Sequence, residues 1–276
     1  MGLDLGFDPT VSLGPFRVAW HSLWSLVGMG VGSWLSFRLA RALVKDERIY
    51  PFAIAVVIGG LLAARIGHIA DNWPYYGAHP DQLLAFWNGG VAVTAAPIGS
   101  AIGGWFACRR LRLPPGFMFD ITVIGIVLGE AIGRIGDIIN GEHHAIACGV
   151  PGICVTYDHP DSLGQGPAFA PGDLRYAPGP VHLAVGYEML WDLAGVALAL
   201  VLRRRLSERA PEGRIFWLWL AVQSLGRFLI SFLRVDKVDL FGLYQAQLVS
   251  LALIALAIPI LVTLFRMSRT ARPTPA

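Results

Sequence analysis

Charge is what this 276-residue sequence has least of. Only 15% of its residues are Asp, Glu, Lys or Arg, where a soluble globular domain carries roughly 25%. Lysine is nearly absent, occurring only as Lys45 and Lys237. The three cysteines do not fall in the paired spacing of a zinc site. There is no glycine-rich phosphate loop and no basic stripe interleaved with aromatics, so the net charge of +3 is no argument for nucleic acid. The polar start, MGLDLGFDPT, lacks a basic n-region and a small-residue cleavage site, and no cleaved signal peptide is expected. What fills the chain is apolar. Hydrophobic residues make up 55% and mean hydropathy is +0.56, the composition of a membrane protein.

A helix needs about 20 residues to cross the hydrocarbon core. Apolar runs of that size predict seven spans, at about 17–39, 49–70, 86–108, 117–136, 181–202, 215–233 and 242–265. The expected fold is an all-α membrane protein, one transmembrane domain over 1–276, with a Gly- and Pro-rich outer loop at about 137–180. Basic residues alternate between connections. Arg38, Arg41, Lys45 and Arg48 follow the first span, 71–85 has none, and Arg109, Arg110 and Arg112 follow the third. Arg175 stands alone in the long loop, Arg203, Arg204, Arg205, Arg209 and Arg214 follow the fifth span, and Arg266, Arg269 and Arg272 follow the last. The positive-inside rule therefore predicts an outside N-terminus and a cytoplasmic C-terminus. Arg234, on the outer side, breaks the pattern and is a candidate for function. No matching pair of broken helices in two repeated halves argues for a transporter.

Cys148 and Cys154, in CGVPGIC, fall in the outer loop. They would pair on an oxidising face and stay as thiols in a host without a periplasmic oxidant. Cys108 lies near the inner face and is expected to be inert.

The ionisable groups within the spans collect in their outer halves: His21 on the first; Arg65, His68 and Asp71 on the second; Arg134 to His144 closing the fourth; His182, Glu188 and Asp192 on the fifth; Arg227 and Arg234 on the sixth; Gln247 on the last. A charge at a helix centre in a bilayer costs at least ~2.5–3.5 kcal/mol, so a shared polar chamber is expected. Glu130, Arg134, Asp137 and Gly141 share one helix face. Gln223, Arg227, Ser231 and Arg234 form a second polar stripe, and Gly125, Gly129 and Gly133 form a small-residue stripe for close helix packing. Two arginines facing one cavity suit a phosphate, through the planar multi-donor guanidinium. Plainer readings stand beside this one. Arg134 pairs with Glu130 one turn away; Arg65 and His68 hold the second helix in place; Trp73, Tyr75, Tyr76 and Trp87 form an interfacial belt. A metal site of Glu142, His143, His144 and His182 is disfavoured, because adjacent histidines lack one-turn spacing. No metal and no cofactor is expected.

GRIGDIINGEHHA at 133–145 resembles the signature of the prolipoprotein diacylglyceryl transferases, approximately G-R-x-G-N-x-x-N-x-E-x-x-G. Further stretches resemble family segments in the same order: ARIGHI at 64–69, WNGGVAVTAAPIG at 87–99, VHLAVGYE at 181–188, GRIFWLWLAVQSLGRFLISFLR at 213–234 and FGLYQAQLVSL at 241–251. The resemblance spans about residues 20 to 255. It implies seven spans with the N-terminus outside, and location in the bacterial plasma membrane. The implied activity is transfer of the diacylglyceryl group of phosphatidylglycerol to the lipobox cysteine thiol of a preprolipoprotein. By position, Arg134, Arg227, Asn140 and Glu142 would be catalytic. Arg134, Asp137, His182, Tyr187, Glu188, Arg234, Gln247, His21, His68 and Thr94 would contact substrate.

The sequence departs from the pattern at several places. Thr94 stands where the family has its catalytic His, followed by Ala95 and Ala96 in place of glycines. Asp137 stands for Asn, Ala145 for Gly, Ser231 for Glu, and His21 where many members have Tyr. Threonine cannot take a thiol proton as imidazole does. Two readings follow: a transferase whose base has moved to His21, His68 or His143, or a homologue that binds an anionic phospholipid but acts on another headgroup or acceptor, or is inactive.

Overall fold

The computed structural model describes residues 2–14, 16–85, 92, 95–142, 144–149, 152–165, 179–206, 212–236, 238 and 240–270. It is mostly helical. Among the described residues, five helices are long and apolar enough to cross a membrane: Ile49–Asp71, Pro115–Asn140, Ala184–Arg205, Arg214–Leu233 and Gln245–Met267. Two predicted spans look different. The helix Trp20–Ala40 (α1) is long enough but dilute in strongly apolar residues, and Ala96–Leu111 (α4) has 16 residues. The start of the predicted third span, 86–91 with Trp87, and Thr94 lie outside the described residues.

The chain divides into two compact units, Phe37–Ile121 and the remainder. The smaller unit holds α2 (Ile49–Asp71), the short α3 (Trp73–Ala78) and α4. α2 and α4 pack through glycine: a Cβ on Gly59 would collide with the Gly99 carbonyl, and one on Gly103 with the Ala55 carbonyl. Close backbone approach of this kind replaces side-chain interdigitation where lipid offers no hydrophobic drive. Ala40, Val44, Ile49, Phe52, Cys108, Met118 and Ile121 form this unit's buried cluster. Arg65, also buried, donates to the carbonyls of Leu83 (2.9 Å) and Gln82 (2.6 Å) and lies over the Tyr76 ring. It fastens the segment after α3 to α2, which is the plainer of its two readings.

The larger unit holds the body of α1, most of α5 (Pro115–Asn140), α6 (Ala184–Leu206), α7 (Arg214–Ile230) and α8 (Gln245–Thr270). The glycine stripe on α5 meets a matching stripe on α1. A Cβ on Gly129 would stand 2.7 Å from the Gly28 carbonyl oxygen, one on Gly32 would collide with the Gly125 carbonyl, and one on Gly136 would stand 2.6 Å from His21 Cα. Between α6 and α7, the Trp191 indole fills the place a side chain on Gly226 would take and donates to the Val222 carbonyl at 3.1 Å.

The fold is not wholly α-helical. β1 (Gly2–Leu5), β4 (Cys154–Tyr157) and β5 (Val181–His182) form one small sheet, in which β1 runs parallel and β5 antiparallel to β4. β2 (Thr10–Leu13) and β3 (Phe16–Ala19) form a hairpin that delivers the chain into α1 at Trp20 rather than at residue 17. Four-residue strands carry too little alternation to stand out from polar coil. The excursion predicted for the outer face also begins later than expected. α5 runs to Asn140, so Asp137 is helical, and Gly141 ends the helix at φ +72°. A Cβ there would meet Ser162 Oγ at 2.5 Å, so both the left-handed backbone and the lack of space select glycine. Within the excursion Cys148 and Cys154 are disulfide-bonded, Cα to Cα 5.8 Å.

Candidate active site

The larger unit carries its ion pairs at the ends of α5, α6 and α7. Glu188, 4% exposed, is the meeting point. Its carboxylate accepts hydrogen bonds from Arg227 Nη1 (2.5 Å) and Arg234 Nη1 (3.1 Å) and forms an ion pair with Arg134 Nη2 (3.1 Å). Arg134 also donates to Glu130 (3.1 Å) and Asp137 (3.2 Å) on its own helix, and Arg234 to Asp236 (3.0 Å). Buried ions persist only when paired and hydrogen-bonded, and one carboxylate here gathers three guanidiniums, from α5, α7 and the segment that follows α7. One turn further along α6, Asp192 accepts from Gln223 Nε2 at 2.6 Å.

The arginines are not equivalent. The Arg134 and Arg234 side chains are 12% and 5% exposed, whereas that of Arg227 is 28% exposed. Among the described residues Arg227 donates from Nη1 alone, leaving Nε and Nη2 for another acceptor. Arg134 Nε and Asn140 Oδ1 are buried without a hydrogen-bond partner in that set. Spare donors on a guanidinium whose position is fixed by Glu188 are suited to phosphate oxygens.

At the end of α5, Asn140 Nδ2 donates to Glu142 at 3.3 Å, and Ser162 Oγ donates to the Asn140 carbonyl at 3.2 Å. His21, brought against Gly136 by the α1–α5 contact, pairs through Nδ1 with Asp137 and lies 3.8 Å from Glu142. His21, Asp137 and Glu142 are the group, among the described residues, whose ligand atoms are close enough for a cation. Both Asp137 oxygens are already engaged, by His21 and by Arg134.

Other expected site residues lie elsewhere. His182 is buried, with Nδ1 3.5 Å from the Tyr187 hydroxyl, and Tyr187 in turn accepts from the Ile153 amide (2.6 Å). Together they brace the disulfide loop. Gln247 caps the start of α8, accepting from the Tyr244 amide at 3.0 Å. A small hollow lined by Glu142, His144, Tyr157 and His182 has room for about one water molecule. His68 belongs to the smaller unit, where it meets Tyr76 edge-on and Asn72 at 3.4 Å. Thr94 and His143 lie outside the described residues. Ser162 carried no signal in the sequence, because its role depends on the turn at Gly141.

A chain with five membrane-length helices among its described residues and a buried arginine–carboxylate network is a polytopic helical membrane protein. The profile of the prolipoprotein diacylglyceryl transferase family matches residues 9–263. A phosphatidylglycerol–prolipoprotein diacylglyceryl transferase of Dehalococcoides mccartyi is 31% identical over 259 residues, 93% of each chain. One from Staphylococcus aureus is 31% identical over 266 residues, 95% of this chain and 91% of its own. The chain belongs to the prolipoprotein diacylglyceryl transferase family.

Proposed function

We propose that this protein moves the diacylglyceryl group of phosphatidylglycerol onto the lipobox cysteine thiol of a preprolipoprotein, releasing glycerol phosphate. The observation that carries the reading is the pair of guanidiniums, Arg134 and Arg227, fixed on Glu188 with donors to spare. They would hold the phosphate and stabilise the charge that accumulates as glycerol phosphate departs, at an atom where preorganised donors are worth most. Asn140 and Glu142, at the end of the same helix, would receive the headgroup hydroxyls. Arg234 shares with Arg227 the Glu188 oxygen it holds in place, and His182, Tyr187 and Gln247 hold the surrounding backbone.

The same reading takes residues 1–276 as one transmembrane domain in a bacterial plasma membrane, with seven spans, the N-terminus outside and the C-terminus in the cytoplasm. The Cys148–Cys154 disulfide in the excursion after α5 supports an oxidising outer face.

One observation favours a second reading, a member that holds an anionic phospholipid but serves another headgroup or acceptor. Arg134 meets Glu130, Asp137 and Glu188 together, which weakens its field toward a phosphate. Purified protein in phosphatidylglycerol vesicles with a lipobox peptide separates the two. The transferase reading requires a diacylglyceryl thioether on the peptide and an equal amount of glycerol phosphate. Reaction only with another headgroup supports the second reading.

A further inference from the structure

We propose that His21 is the catalytic base that takes the acceptor thiol's proton, held in position by Asp137; this rests on the transferase reading above. A thiol of pKa about 8.5 is only a few per cent thiolate at neutral pH, so attack on the glyceryl carbon needs a proton acceptor. The requirements are an imidazole with one nitrogen oriented by a carboxylate, the other open, and the ring beside the phosphate-binding arginines.

The described histidines of the larger unit divide sharply on these terms. His182 is buried behind Tyr187 and the disulfide loop. His144 is partly buried and faces Asp236. His159 lies on the excursion, its Nδ1 accepting from the Asp161 amide. His21 alone in this set pairs Nδ1 with a buried carboxylate while its side chain stays 45% exposed, and its Nε2 has no hydrogen-bond partner among the described residues. The carboxylate, Asp137, is 6% exposed and bonded through its second oxygen to Arg134. One side chain thus ties the imidazole to the guanidinium that would hold the leaving phosphate. A carboxylate on Nδ1–H fixes the tautomer, leaves the Nε2 lone pair free and stabilises the imidazolium once formed. The charged groups facing His21 are Asp137 and, through it, Arg134 from α5, and Glu142 from the turn that follows. On the hairpin before α1, Asp8 and Arg17 are both occupied with Thr10.

The step balances. The thiol proton passes to His21 Nε2, the sulfur pair forms the S–C bond at the glyceryl carbon, and the C–O bond to phosphate breaks with its electrons on the departing oxygen. Glycerol phosphate leaves with the added negative charge beside Arg134 and Arg227, and the proton passes from His21 to solvent. Asp137 is a positioning residue.

The test is transfer by wild type and His21→Gln across pH 6 to 9 with phosphatidylglycerol and a lipobox peptide, beside nitrogen NMR of histidine-labelled wild type. Removing a general base costs about 10²-fold. That deficit is expected near neutral pH, and the variant's rate should climb about tenfold per pH unit until the thiol ionises by itself. The NMR should show His21 as the Nδ1–H tautomer, and Asp137→Ala should split it between both forms. A His21→Gln rate equal to wild type, a deficit unchanged by pH, an Nε2–H tautomer, or loss of activity on adding a chelator would each overturn the role. Wild type that makes no thioether at any pH removes the transferase reading itself, and the base with it.

Discussion

Glu188 and Arg134 concentrate the site's electrostatics, each paired with three groups of opposite charge. Glu188 pairs with Arg134, Arg227 and Arg234 at once while 4% exposed, and losing one member of a buried ion pair typically costs about 3–5 kcal/mol. Glu188→Ala should therefore lower the unfolding midpoint in detergent far more than Glu130→Ala, whose carboxyl is 36% exposed; equal effects would contradict the hub. His144 gives a pH signature. Burial holds its imidazole below the ordinary value of 6.5, against the opposing pull of Asp236. A depressed folded pKa means its contribution is present above the unfolded pKa and is lost as pH falls through the folded one. Stability should drop on acidification below about pH 6.5, and His144→Asn should flatten that drop in a thermal-unfolding series. At this scale the sequence marked the polar residues on each helix face better than the partners they touch. The i, i+4 and i, i+7 spacing put Glu130, Arg134 and Asp137 on one face, and the three do pair. His21 and Asp137, two departures from the family signature, are 116 residues apart in the chain. Only tertiary packing reveals that they are partners.

The element that sets this partnership is the α1–α5 contact. Gly28 and Gly32 face Gly129 and Gly125 at backbone distance, and Gly136 takes the start of α1. Gly32→Val should force α1 away, separate His21 from Asp137, and lower both transfer rate and unfolding midpoint. Gly30→Ala, with nothing within 4 Å of its new Cβ, should leave the midpoint unchanged or raise it slightly; a loss like that of Gly32→Val would contradict the packing account. The α5 stripe was legible because its glycines recur every four residues. The matching stripe on α1 was hidden, since Gly28, Gly30 and Gly32 together give no period. The helices followed from apolar runs, whereas the strands, of four residues or two, did not, and Asp137 fell in the predicted loop because polar residues at the end of α5 read as the end of the helix.

At the scale of the whole molecule, the proposed orientation and the proposed site are coupled, because on that reading the acceptor thiol would reach the arginines from the outer face. With native cysteines replaced, a single cysteine at Ser12 should react with an impermeant reagent in intact cells and one at Arg205 only after lysis; the reverse would invert the topology. The most direct test of the central claim, that Arg134 and Arg227 fixed on Glu188 bind the phosphate and drive transfer, is the rate at which label from phosphatidylglycerol reaches a lipobox peptide thiol in wild type and Arg134→Ala. The account predicts Arg134-dependent transfer, with the variant slower by about 10²-fold or more. Transfer that persists at the wild-type rate without Arg134 would contradict it.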